Sequence, residues 1–318
     1  MVSGSTLTRT VAAAVLMIAT ACGSTTGPVD GLNGAIPAGP EIVIGAQDFS
    51  ESSILAELYG QALVDAGYPV RQAPLGAYRE AEISALRSGD INMAVEYAAS
   101  LLEHLNGGAG EASADVLSTF TVLEERLATD GLQLLSSAPA QNTNVFVMQS
   151  ERASALEITR LSDLAQAGPL VLGAPADCPT NPFCIPGLAE FYEVDLADGF
   201  VSAVADSTAI EALATDDAPL ADAQLDIAVL FSTSPLLSSD GLVVLEDDRL
   251  MLAAENVTPV VRAEVLAAYG DPIERIVSEV SAELTTEELV ELNRQFDEDG
   301  KGPADIATDW LKAHNFIG

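Results

Sequence analysis

Apolar positions along this chain alternate between short unbroken runs and longer stretches with helical spacing. Glu41-Ile-Val-Ile-Gly45 is a run that predicts a buried strand. Ser52–Ala66 places Ile54, Leu55, Leu58, Ala62 and Leu63 on one face and stops at Gly67, which predicts a helix. Tyr68–Leu75 reads as a strand, Arg79–Ser88 as a helix ended by Gly89, and Ile91–Val95 as a strand. Leu101, Leu102 and Leu105 suggest a helix broken at Gly107-Gly108; Ala114–Thr129 is a further helix and Leu132–Ser136 a strand. The pattern then restarts. Strands are predicted at Val145–Met148, Leu170–Gly173, Leu225–Phe231, Leu242–Leu245 and Val257–Val261. Leu161–Ala167, Pro186–Val194 and Thr208–Ala214 lie between them as helices. The rest is helical, with Thr285-Thr-Glu-Glu288 as a capping box and Ala304–His314, carrying Trp310, as the last helix.

Strands alternating with helices predict parallel α/β sheets. Two such units, with the chain returning to the first, make a two-lobed clamp whose crossings fall near 137–146 and 230–244. Residues 41–140 plus 241–318 form the first lobe and 141–240 the second. Ligands of α/β sheets sit beyond the carboxyl ends of strands, so a cleft between lobes is the expected site.

The N-terminus belongs to neither lobe. Arg9 is the only charged side chain among the first 21 residues, and an apolar run, Val11–Thr20, follows it. A basic start, a short apolar stretch and small residues describe an export signal over residues 1–21. The run is too short to span a bilayer. Ala19-Thr20-Ala21-Cys22 resembles a bacterial lipobox, in which the Cys22 thiol carries lipid; ordinary cleavage near Ala21, with Cys22 left free, is the alternative. Residues 22–40 are turn-rich and aperiodic and read as a flexible tether. The remaining cysteines close Asp177-Cys-Pro-Thr-Asn-Pro-Phe-Cys184, and in an exported chain such a pair, Cys178 with Cys184, is a disulfide.

Charge narrows the partners. The 318 residues carry 13 Lys and Arg against 48 Asp and Glu, a formal net charge of −35, yet 48% are hydrophobic. The apolar fraction argues for a packed core, and the acidity argues against nucleic acid. No phosphate-binding glycine loop, nucleophile elbow or metalloprotease helix occurs. His104 and His314 have no partner spacing for catalysis or zinc. The chain is therefore read as a non-enzyme without cofactor or metal.

Several segments carry a resemblance. Ile44-Gly-Ala-Gln-Asp-Phe-Ser-Glu51, Gly76-Ala-Tyr-Arg79, Ala85-Leu-Arg-Ser-Gly-Asp-Ile-Asn92, Glu96-Tyr97 with Ser100-Leu-Leu102, and Pro139–Phe146 follow one another in order. Gly241–Asp248, Glu255–Arg262, Leu284–Leu289 and Leu292-Asn293 complete the set. Together they resemble the glycine betaine/choline/carnitine-type substrate-binding proteins of osmoprotectant ABC importers, over about residues 41–315. The resemblance implies a type II periplasmic-binding-protein-like fold, a small quaternary-amine ligand and ABC permease subunits as partners. It further implies a monomer, lipid-anchored on the outer face of the cell membrane. A sensing module uncoupled from transport would use the same fold.

Such proteins cage a quaternary ammonium with aromatic faces by cation–π attraction. The resemblance puts Tyr97 on a cage tyrosine, Ser100 beside it, Gln47 on a polar first-strand position, and Asn142, Asn144 and Thr233 among the ligand contacts. Phe231 replaces one cage tyrosine and Glu255 another. Asn181 stands where the family has an arginine that clamps the betaine carboxylate, which favours a cation without a carboxylate.

Overall fold

The structure is a computed structural model that describes residues 38–202, 225–238 and 241–318, together with Met1. The export signal, Cys22, most of the tether and the helix expected at 208–214 lie outside the described residues.

Ten strands among the described residues form two five-stranded sheets of matching design. The first contains β1 (Ile42–Ala46), β2 (Val70–Pro74), β3 (Met93–Tyr97), β4 (Leu132–Leu134) and β10 (Val257–Arg262), in the order β2-β1-β3-β10-β4. The second contains β5 (Asn144–Gln149), β6 (Leu172–Ala174), β7 (Phe200–Ser202), β8 (Ile227–Phe231) and β9 (Leu242–Val244), in the order β7-β6-β8-β5-β9. Neither sheet is wholly parallel, as the strand–helix alternation had predicted. In the first, β10 runs antiparallel to both β3 and β4; in the second, β5 runs antiparallel to both β8 and β9. The reason is topological. β5 and β10 are the strands that follow each crossing, so each enters its sheet from the seam, against the direction of its neighbours.

The outward crossing occupies residues 135–143, close to the expected place. The return lies at 245–256, later than the expected 230–244, because β9 still pairs with β5 in the second sheet. The boundary drawn at residue 241 thus precedes the end of that sheet. The two crossings meet at an antiparallel bridge between Gln141 and Asn256. Around it, Val257 N–H donates to Ala140 O (2.9 Å), Asn142 N–H to Glu255 O (3.0 Å), and the Asn256 amide to Ala138 O (3.0 Å).

Helices cover both faces of the first sheet, as the fully buried β1 and β3 require. On one face lies α1 (Ser50–Asp65), whose Ile54, Leu55, Leu58, Tyr59 and Leu63 are fully buried, with the C-terminal helices α7 (Ala263–Tyr269), α8 (Asp271–Glu283), α9 (Thr286–Asp297) and α10 (Pro303–Ala313). On the other lie α2 (Arg79–Ser88), α3 (Ala98–Asn106) and α4 (Val116–Ala128). Asn92 locks the start of β3 to β1, accepting from Val43 N–H at 2.8 Å and donating to Glu41 O at 2.8 Å. The second sheet packs α5 (Ser150–Leu156) and α6 (Ile185–Tyr192) into a separate apolar cluster. No described helix is long and apolar enough to cross a membrane.

The capping box is half made. Thr285 Oγ1 accepts from Glu288 N–H at 3.2 Å, while the Glu288 carboxylate accepts from the Trp310 indole N–H at 2.7 Å and ties α9 to α10. Thr285→Ala should therefore cost about 1 kcal/mol and lower Tm by roughly 2 °C, measured by thermal denaturation.

Candidate functional site

A cleft of about 560 Å³ opens where the carboxyl ends of β3 and β8, the amino end of β5 and both crossings converge. Its position follows from the sheet design. Strands β1, β3, β6 and β8 all end toward the seam, and the antiparallel β5 begins there.

One wall is built around Glu51, in the first turn of α1. Its carboxylate is buried, only 4% exposed, and accepts three hydrogen bonds: Tyr97 Oη at 2.5 Å, Asn142 Nδ2 at 2.7 Å and Asn293 Nδ2 at 2.6 Å. Burial first, then the Glu51 charge, holds the Tyr97 phenol well above its usual pKa, so it remains a neutral donor. Asn293, on α9, also donates to the Thr233 carbonyl at 3.1 Å, which links the first-sheet body to the turn after β8.

A second wall holds a neutralised ion pair. Arg79 Nε donates to both oxygens of Glu96, each at 2.9 Å, and the Glu96 side chain is wholly buried. Burial works against the Arg79 charge, but Glu96 more than offsets it, and the guanidinium pKa is raised. Behind them Glu82 is fully buried; burial, then Glu96, pushes it well above the carboxylate range and favours its neutral form.

Glu255, on the return crossing, faces the same cleft. Ser100, in the first turn of α3, donates its backbone N–H to one oxygen at 3.0 Å and its hydroxyl to the other. Among the described residues no ion pair reaches Glu255, and burial pushes its pKa from 4.5 up to about 7 against the opposing Ser100 hydrogen bonds.

The remaining lining comes from the second sheet. Asp177, Asn181 and Phe183 belong to the loop that the Cys178–Cys184 disulfide closes. This loop packs against α6 so closely that a Cβ at Gly187 would collide with the Pro182 carbonyl oxygen. Phe49, Tyr97, Phe183 and Phe231 give the cleft four aromatic rings, and Phe49 and Tyr97 lie 6.5 Å apart between centroids.

Of the residues expected to touch ligand, the cleft brings together Tyr97, Ser100, Asn142, Asn144, Phe231, Thr233 and Glu255, and Asn181 joins them. Gln47 is not at the wall. It is buried behind it, with its amide 3.4 Å from Glu96, where it helps to orient the partner of Arg79. Glu51, Arg79, Asp177, Phe183, Asn293 and Asp297 were not foreseen as lining. Glu51 and Asn293 sat inside quoted motifs, but their role depends on which helices return to the seam, and periodicity does not carry that.

Carboxylates, amides and aromatic rings around an open cleft make a receptacle for a small solute. Residues 40–313 match the family described as the substrate binding domain of ABC-type glycine betaine transport systems, and the chain belongs to that family. It is thus a substrate-binding protein of ABC-type transport, a class whose members carry solutes and are not enzymes. It is 24% identical over 286 residues to the glycine betaine-binding protein YehZ of Escherichia coli, covering 87% of this chain and 92% of that protein. It is 23% identical over 284 residues to the glycine-betaine-binding protein of Pseudomonas aeruginosa, covering 86% and 88%. A solved structure described as a glycine betaine/carnitine/choline ABC transporter superposes with a TM-score of 0.71 at 23% identity, over 87% of this chain and 100% of that one. That likeness shows the two-lobed α/β fold.

The raised Glu255 pKa sets a pH dependence. A carboxyl whose folded pKa exceeds its unfolded value stabilises fully below the unfolded value and loses that contribution as pH rises through the folded one. The contribution of Glu255 is therefore present below pH 4.5 and fades as pH passes about 7. Its size is at most about 3 kcal/mol. Urea denaturation of wild type and Glu255→Gln at pH 5 and pH 8 should show the wild type losing more stability between the two.

Proposed function

We propose that this protein captures a small amine cation of the betaine–choline type outside the cytoplasm and hands it to the permease of an ABC importer. In this reading the mature chain is a monomer, tethered to the membrane by lipid on Cys22, and its two sheet-centred lobes close on the solute about the paired crossings.

The observation that carries the reading is the charge and ring content of the cleft. Four aromatic rings line it, and Glu51, Asp177, Glu255 and Asp297 are on its wall. Among the described residues its one lining cation, Arg79, is paired through Nε with Glu96, which offsets its charge. A cation gains from each ring face it covers, about 2 kcal/mol once desolvated, and from carboxylates in a low-dielectric pocket. Where the resemblance puts a carboxylate-clamping arginine the wall has Asn181, and a ligand carboxylate would have to share Arg79 with Glu96. Glycine betaine, which bears both groups, should therefore bind more weakly than choline, the same headgroup without the acid.

Two measurements test this. A melting screen against betaines, choline, carnitine, ectoines and polyamines should show stabilisation by cations, about 2.7 kcal/mol at a hundredfold excess over Kd. Calorimetry should give choline the lower Kd; tight betaine binding without any response to choline would reverse the assignment. Tyr97→Ala should weaken the bound cation at least tenfold while the purified protein keeps its fold by circular dichroism, since it removes both a ring face and a donor to Glu51.

A further inference from the structure

Glu255 poses a chemical question that a fully methylated ammonium answers poorly. The side chain is 7% exposed and lies on the cleft wall. Among the described residues each of its oxygens accepts a single hydrogen bond, both from Ser100, which leaves a second lone pair on each. The charged groups facing it are Arg79 from α2, which favours its ionised form, and Glu96 from β3, which opposes it; the two pair with each other through Arg79 Nε. A buried carboxylate in that condition lacks a counter-charge of its own and has lone pairs without donors. A trimethylammonium supplies charge but no N–H, and its methyl groups keep the positive centre beyond hydrogen-bond distance. An ammonium that retains an N–H supplies both, as a charge-assisted hydrogen bond.

We infer that the cleft selects an amine cation bearing at least one N–H and that Glu255 is the residue that reads it, with the aromatic rings covering the carbon substituents. This rests on the cation-binding reading above and sharpens it. Ser100 is then a positioning residue, holding the carboxylate from one side so that its remaining lone pairs are left for the ligand. The ionised form of Glu255 is the one that binds, so affinity rises with pH through the range in which Glu255 titrates.

The test uses a pair that differs by one methyl group: choline and protonated N,N-dimethylethanolamine, titrated calorimetrically into wild type and Glu255→Gln at pH 7.5. Hydrophobic burial alone favours choline by about fourfold, the worth of a methyl group. A charge-assisted hydrogen bond reverses this, and we expect dimethylethanolamine to bind roughly tenfold more tightly to wild type, with that preference lost in the variant. Equal or tighter choline binding by wild type overturns the inference and leaves the amine-cation reading intact. A preference for dimethylethanolamine that survives in Glu255→Gln overturns the assignment to this residue. Failure of either cation to bind wild type removes both readings. The wild-type comparison decides the selectivity even if the variant does not fold.

Discussion

A buried carboxylate without a counter-ion can be held only by hydrogen-bond donors, and the seam of this protein is organised around that constraint at Glu51, which no ion pair reaches among the described residues. Its donors come from the end of β3, from the outward crossing and from α9, three parts of the chain far apart in sequence. Taking any one away leaves a buried carboxylate oxygen short of a partner, which costs more than an ordinary hydrogen bond contributes. The result is a fixed wall: Tyr97 is oriented through its hydroxyl, Asn142 through its amide, and Asn293 reaches on to the Thr233 carbonyl across the seam.

The arrangement of charge around this hub separates structure from recognition. Arg79 and Glu96 neutralise each other at the wall, with Gln47 and the largely neutral Glu82 behind them. The acids left over face the cleft. The formal net charge of −35 over the whole chain has little to do with it, because salt screens surface charges beyond about 8 Å. What a ligand experiences is the handful of carboxylates within the pocket, at close range.

Much of the fold was legible because hydrophobic period encodes it. β1, α1, α2, β3 and α9 fall within a few residues of their predicted bounds, and the restart of the strand–helix pattern announced a second sheet. Direction was not legible: that β5 and β10 run against their neighbours depends on where the chain crosses, and an apolar run looks the same in either direction. The return crossing was placed too early for the same reason, since Leu242–Val244 could have belonged to either sheet by composition. At the site, order and spacing of motifs pointed to Tyr97, Ser100 and Glu255. They also pointed to Gln47, which the structure buries beside Glu96 behind the wall, and they gave Asn293 no role at the site, because its relevance appears only once α9 is folded back over the seam.

The two crossings form, through Gln141 and Asn256, a miniature two-stranded ribbon rather than a pair of loose cords. A ribbon bends and twists readily but resists shear along its length, because sliding would break every ladder bond at once. The panels on either side therefore have essentially one soft coordinate, like covers on a common spine. Access to the cleft and the spacing of its opposite walls are then the same variable.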